Sequence, residues 1–264
     1  MTQGMNEQQH TGPSLTSGNR IRSHGLVLAV LALTCVIYAQ VGGFEFVWDD
    51  TKFIIENPAI RSVSAVPAYF TDIQSQSAPD YAKAFRVYRP LRNISYLIDY
   101  HLFGLNPGGW HVHNLLINLV NGGLLYALAL MLCGSRPGAA FAAAVFLLHP
   151  VQTEAVAWVK CRDDLLSVLW VLTGCVLISK NARTSSLGCV HFLACLAKAQ
   201  AVAVMPVFLW FRPGASRKSR IMAGILIGIS CVYLAIRHTV LGGSDQGDYL
   251  AGGFWATFLQ MGPV

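Results

Sequence analysis

Apolar and polar positions along this chain separate into long blocks instead of alternating. Residues 1–24 form a polar block rich in Gly, Ser, Thr and Gln that carries Arg20 and Arg22, and they read as a disordered cytoplasmic tail. Residues 25–43 are almost wholly apolar. This run is too long and uniform for a secretory h-region, and no small-residue cleavage pattern follows it, so a retained signal-anchor helix is predicted. From 44 to 109 the pattern is mixed and is punctuated by Pro58, Pro67, Pro79, Pro90 and Pro107. It predicts a first extracytoplasmic loop carrying short interfacial helices, with Tyr69, Phe70, Tyr81, Phe85 and Tyr88 at headgroup level.

Residues 110–264 predict a transmembrane helical bundle, with spans near 110–133, 138–149, 165–178 and 221–236. Residues 187–211 are apolar except for Lys198. With the N-terminus cytoplasmic, Arg136, Lys180, Arg183 and the cluster Arg212, Arg217, Lys218 and Arg220 all fall inside, provided that 187–211 enters and leaves by one face. Two short helices turning near Lys198 meet that condition; a single straight span is the alternative and inverts everything after it. The last run, from about Gly253 to Val264, is too short to cross about 30 Å of hydrocarbon, so the bundle reads as truncated at its C-terminus.

Composition fits an all-α, multi-pass membrane bundle. Hydrophobic residues make up 54% and charged residues 12%, roughly half the charged share of a soluble domain. The net charge of +6 has no basic stripe with interleaved aromatics behind it, so no nucleic-acid partner is expected. The seven cysteines show no CxxC spacing and read as small packing residues. Gly122 and Gly123 are expected to allow close helix approach.

Candidate chemistry gathers at the ends of the apolar runs. Asp49 and Asp50 are adjacent carboxylates just beyond the first span, and they need a cation, a partner or a job. One could serve as a general base while the other orients it or holds a metal; an ordinary solvated loop is the plain alternative. His149 and Glu154 follow one span, and Arg162, Asp163 and Asp164 precede the next. Arg162 suits bidentate phosphate recognition, whereas snorkelling by Arg162 and Lys160 is the plainer reading, and helix capping is favoured for Asp163. Lys198 lies within an apolar run at a cost of about 3 kcal/mol at mid-bilayer, unless it sits at a turn, pairs with an acid or meets an anionic ligand. Arg89 and Arg92 close the long loop, and His111 and His113 open the second span. His111, His113, His149 and Glu154 leave a divalent metal open, without a compact ligand motif. Asn93 begins a glycosylation sequon, expected to be unmodified beside the arginines.

Four ordered segments, FVWDDTKFIIENPAI, YRPLRNISYLIDYHLFGLNPGGWHVHNLL, HPVQTEAVAWVKCRDDLLS and LAKAQAVAVMP, resemble the transmembrane and tetratricopeptide-repeat O-mannosyltransferase-like family of GT-C glycosyltransferases. The likeness covers roughly residues 25–240. It implies transfer of a sugar, mannose first, from a polyprenyl or dolichyl phosphate to a protein or glycan acceptor on the lumenal or periplasmic face. By the same likeness Asp49 is the base and Asp50 its partner. Arg162, Lys198 and Arg89 hold the donor phosphate, and His149, Glu154, Asp164 and His113 support them. Cys161 stands where a small residue is expected and Ala199 where many relatives carry an acid; the C-terminal spans and repeats of the family do not follow. A transporter or flippase, or a non-catalytic remnant, are the competing readings. A bacterial inner membrane is favoured over the endoplasmic reticulum.

Overall fold

The structure, a computed structural model, describes residues 24–84, 86–211, 214 and 216–242. The tail up to residue 23, Phe85, Arg212 and the final apolar run near Gly253 lie outside the described residues. No strand occurs among the described residues, and the main helices are α1 (Gly25–Ile37), α2 (Pro90–Phe103), α3 (Pro107–Cys133), α4 (Arg136–Leu148), the short α5 (Gln152–Ala157), α6 (Arg162–Ser179), α7 (Thr184–Ala197), α8 (Ala201–Phe211) and α9 (Arg217–Val240). Among the described residues three stretches are long and apolar enough to cross a membrane: Gly25–Gly43, α3 and α9.

Local chemistry sets the helix starts. Asn106, Ser135 and Ser216 each accept a backbone N–H of the first turn of α3, α4 and α9, and Pro107 and Pro137 occupy first-turn positions whose N–H needs no partner. Gly134 ends α3 in the left-handed conformation that a residue without a Cβ adopts at low cost, and α4 folds straight back. Neighbours in the bundle are α1 with α4, α4 with α3, α3 with α6, α6 with α7, and α9 with both α7 and α8. Of the paired glycines, only Gly122 meets a neighbour: a Cβ there would lie 2.7 Å from Leu147 Cγ, whereas one on Gly123 would find nothing within 4 Å.

The predicted hairpin at Lys198 is present. α7 ends at Ala197, Lys198 is extended, and α8 begins at Ala201, which removes the single straight span. Other expectations need correction. The third expected span is α4, whose 13 residues reach about 20 Å. The long loop carries short helices, among them Ala68–Thr71 and Pro79–Ala84, and in addition the 14-residue helix α2. Its buried face carries Arg92, Asn93 and Asp99, so no apolar stripe announced it. Tyr69 and Tyr88 are buried core residues instead of headgroup anchors; Tyr69 donates its hydroxyl to Ala59 O at 2.8 Å. Cys161, Cys175 and Cys195 pack inside, while Cys35, Cys133, Cys189 and Cys231 are exposed, and all seven are free thiols.

Candidate active site

Successive bundle helices reverse direction, so the start of α3, the end of α4, the start of α6, the α7–α8 turn and the end of α9 come to one end of the molecule. The loop 44–89 lies over that end: Lys160 N–H donates to Asp50, Gln76 accepts from Arg89 N–H, and Arg86 donates to Leu241 O at 3.2 Å.

The first turn of α6 organises the charges. Arg162 is 0% exposed, and each guanidinium nitrogen is engaged: Nε donates to Asn114 Oδ1 at 2.7 Å, Nη2 to Trp110 O at 2.8 Å, and Nη1 to Asp99. Asp99 is equally buried and also holds His113 Nδ1 at 2.5 Å. Asp163 is ion-paired with Arg89, and Asp164 with Lys198. Three consecutive residues of one helix thus bind three partners from three other segments. Arg162 neither snorkels nor lies open to a ligand, and Asp163 is an ion-pair partner, not a cap. Lys198 meets an acid at a turn, one of the resolutions its position required, and its pair with Asp164 is the more open: the two side chains are 18% and 44% exposed.

The adjacent carboxylates divide their work. Asp50 is buried and accepts Lys160 N–H at 2.8 Å and Val47 N–H at 3.1 Å. Asp49 is partly open, accepts the Tyr81 hydroxyl at 2.9 Å, and has Lys160 Nζ at 3.5 Å. Trp48, immediately before it, is held at φ 48°, a left-handed conformation uncommon outside glycine and found mainly where the surroundings impose it. Behind this pair Arg92 is wholly buried without a carboxylate partner, its guanidinium 4.2 Å over the Phe53 ring and donating to Gln76 O. Tyr96 lies between Arg92 and Arg162, 5.5 and 5.4 Å from their guanidinium carbons.

His149 and Glu154 stand apart from this network. His149 is exposed and accepts Val151 N–H at 3.2 Å; Glu154 is exposed on α5. His111 turns to Glu45 O at 3.3 Å and His113 to Asp99, so the four residues that left a metal open are not gathered. Among the described residues no three His, Cys, Asp or Glu side chains are placed to hold a metal. Asn93 is buried, with Nδ2 donating to Ser75 O at 2.9 Å, a position closed to glycosylation. Asp99 escaped notice in the sequence. Its signal was the spacing of Arg92, Tyr96 and Asp99 at i, i+4 and i+7, one face of a helix.

Burial pushes the Asp50 carboxyl up to about 6, against the opposing pull of the Val47 and Lys160 amides and the Arg162 charge. A raised carboxyl favours the fold while protonated. Its contribution is complete below the unfolded value near 3.8 and is lost as pH climbs through about 6. Thermal unfolding of the purified protein should therefore show a component of stability falling over that window, and Asp50→Asn should flatten it.

No family model and no solved structure matches the chain. Curated sequences do. It is 28% identical over 193 residues to "Protein O-mannosyl-transferase F38B6.6" of Caenorhabditis elegans, covering 70% of this chain and 28% of that protein. It is 29% identical over 180 residues to human "Protein O-mannosyl-transferase TMTC1" (67% and 20%), and 31% identical over 142 residues to Drosophila melanogaster "Protein O-mannosyl-transferase Tmtc1" (53% and 16%). The chain spans less than a third of the length of each of these relatives. All three come from animals, so the preference for a bacterial membrane gains no support. By these matches the chain is similar, over about half to two thirds of its length, to the TMTC-named protein O-mannosyl-transferases, the family its four motifs resemble.

Proposed function

We propose that this chain is the membrane part of a GT-C glycosyltransferase that moves a sugar, mannose first, from a polyprenyl or dolichyl phosphate to an acceptor hydroxyl at the non-cytoplasmic face. The observation that carries this reading is the first turn of α6, whose Arg162, Asp163 and Asp164 tie Asp99, Arg89 and Lys198 to the end of the bundle where Asp49 and Asp50 sit. The names of the relatives support sugar transfer, and three apolar helices of spanning length support a membrane location.

Asp49 is the base. Its carboxylate is accessible and is oriented by Tyr81, while Asp50 fixes the loop through two backbone amides. Asp49 takes the acceptor hydroxyl proton as the oxygen bonds to the anomeric carbon; the bond from that carbon to the phosphate oxygen breaks, and the lipid phosphate leaves with the electron pair. Lys198, in its open pair, and Arg89 stabilise the departing phosphate. Arg162, enclosed and with every nitrogen engaged, acts through position: it fixes Asp99, Asn114 and the start of α3 around the site. His149, Glu154, Asp164 and His113 stay outside the reacting centre, with Asp164 setting the Lys198 ammonium.

Full-length protein in vesicles, given radiolabelled polyprenyl-phosphate mannose and an acceptor, should move label to the acceptor. Label retained in the lipid fraction under every donor offered would remove the transferase reading. A transporter would instead carry the intact donor across the bilayer.

A further inference from the structure

Beside the ionic network, a groove of about 780 Å³ lies between residues 43–48 and the segment Thr153–Trp158. Phe44, Trp48 and Trp158 wall it, and Glu45, Thr153 and Glu154 edge it. Trp48 is 80% exposed and stands edge-on to Trp158, ring centroids 5.3 Å apart. Its left-handed backbone is unfavourable for a bulky residue, yet it is held: Asp50 bridges the turn by accepting Val47 N–H, and Asp49 follows directly. Glu45 and Glu154 are exposed, and neither forms an ion pair among the described residues. One cation, Lys160, touches a wall of the groove, 4.7 Å over the Trp158 ring, but its ion pair is with Asp49, at 3.5 Å, and not with Glu45 or Glu154.

We infer that this groove is the acceptor site and receives a cationic polypeptide segment, one with Lys or Arg near the hydroxyl residue; the inference rests on the transferase reading above. Two carboxylates without an ion pair, beside the exposed Trp48 indole, complement a guanidinium or ammonium both by charge and by attraction to the ring. The groove opens at the residue before the proposed base, so a hydroxyl beside the bound cation comes within reach of Asp49. A neutral glycan could stack on the same indoles but would leave both carboxylates unanswered.

Binding tests this without any sugar donor. Full-length protein in lipid nanodiscs is titrated with a dye-labelled hexapeptide, Ala-Arg-Ser-Ala-Arg-Ala, and with its Glu-for-Arg counterpart, with unlabelled mannobiose as competitor. The arginine peptide should bind with an affinity that falls as salt rises. Glu45→Gln and Glu154→Gln should each weaken it about threefold, and the double variant about tenfold, as partly exposed charge pairs do. Trp48→Ala should weaken it further, and Trp48→Phe should restore part of the loss. Equal binding of the acidic peptide, displacement by mannobiose, no peptide binding, or unchanged affinity in the double glutamate variant would each overturn the inference. Peptide binding without sugar transfer would count against the transferase reading alone; sugar transfer without peptide binding would count against the groove alone.

Discussion

Asp49→Asn should lower sugar transfer by about 100- to 10,000-fold, the range over which a positioned general base accelerates a reaction, while yield and thermal stability stay near wild type. Asparagine keeps an oxygen to accept the Tyr81 hydroxyl, while its amide nitrogen, a donor, cannot replace the oxygen that faces Lys160, so the variant loses the proton acceptor together with a partly exposed ion pair that contributes little to stability. The effect should fall on kcat, with the donor KM little changed, because in the proposed reaction the Asp49 carboxylate meets the acceptor hydroxyl and not the lipid phosphate. Asp50→Asn should behave differently. Asp50 accepts two amides from inside the protein, one on each oxygen, so replacing one oxygen by an amide nitrogen should reduce rate, and should reduce stability below about pH 6, where the native carboxyl is protonated. Asp49→Asn protein that transfers sugar at the wild-type rate would require another base.

Asp99→Ala should destabilise the protein by about 3–5 kcal/mol, the cost of leaving a buried charge without its partner. Asp99 and Arg162 are both shut off from solvent, and their removal from water is offset only by the completeness of their contacts: Asn114, Trp110 O and Asp99 around the guanidinium, and His113 as a second partner of the carboxylate. Without Asp99 the guanidinium stays buried between Tyr96 and Trp110, whose rings lie 5.4 and 5.6 Å from its carbon. Thermal unfolding in detergent should show a large drop for Asp99→Ala. The paired replacement of Asp99 by Leu and Arg162 by Met should unfold at a higher temperature than Asp99→Ala alone, since an apolar pair leaves no unanswered charge. A stable Asp99→Ala protein would mean that water or another acid reaches Arg162.

Apolar runs and their punctuation made the bundle legible. The first span, α3, α9 and the break at Lys198 all followed from length, turn residues and the difficulty of placing an ammonium in hydrocarbon. What the same pattern hid was α2, because hydropathy registers helices whose buried face is apolar, and the buried face of α2 is built from Arg92, Asn93, Tyr96 and Asp99. Partnership was hidden for a related reason. Residue type leaves Arg162 open between phosphate binding and snorkelling and favours Asp163 as a cap, but which acid meets which base depends on helix directions that bring residue 99 to 162 and residue 89 to 163. His149 and Glu154 illustrate the opposite case. They lie close in sequence to the motif of α6, yet the turn after α4 leaves them outside the network.

Lipid-phosphate binding tests the central claim most directly. Wild-type protein and Lys198→Gln, both in nanodiscs, are titrated with a polyprenyl phosphate and with the matching polyprenol. Wild type should bind the phosphate well above the alcohol, and Lys198→Gln should lose about tenfold to a hundredfold of the phosphate affinity, as expected for a hydrogen bond to a charged group, while its affinity for the alcohol stays the same. Equal binding of phosphate and alcohol by wild type, or phosphate affinity untouched by Lys198→Gln, would contradict it.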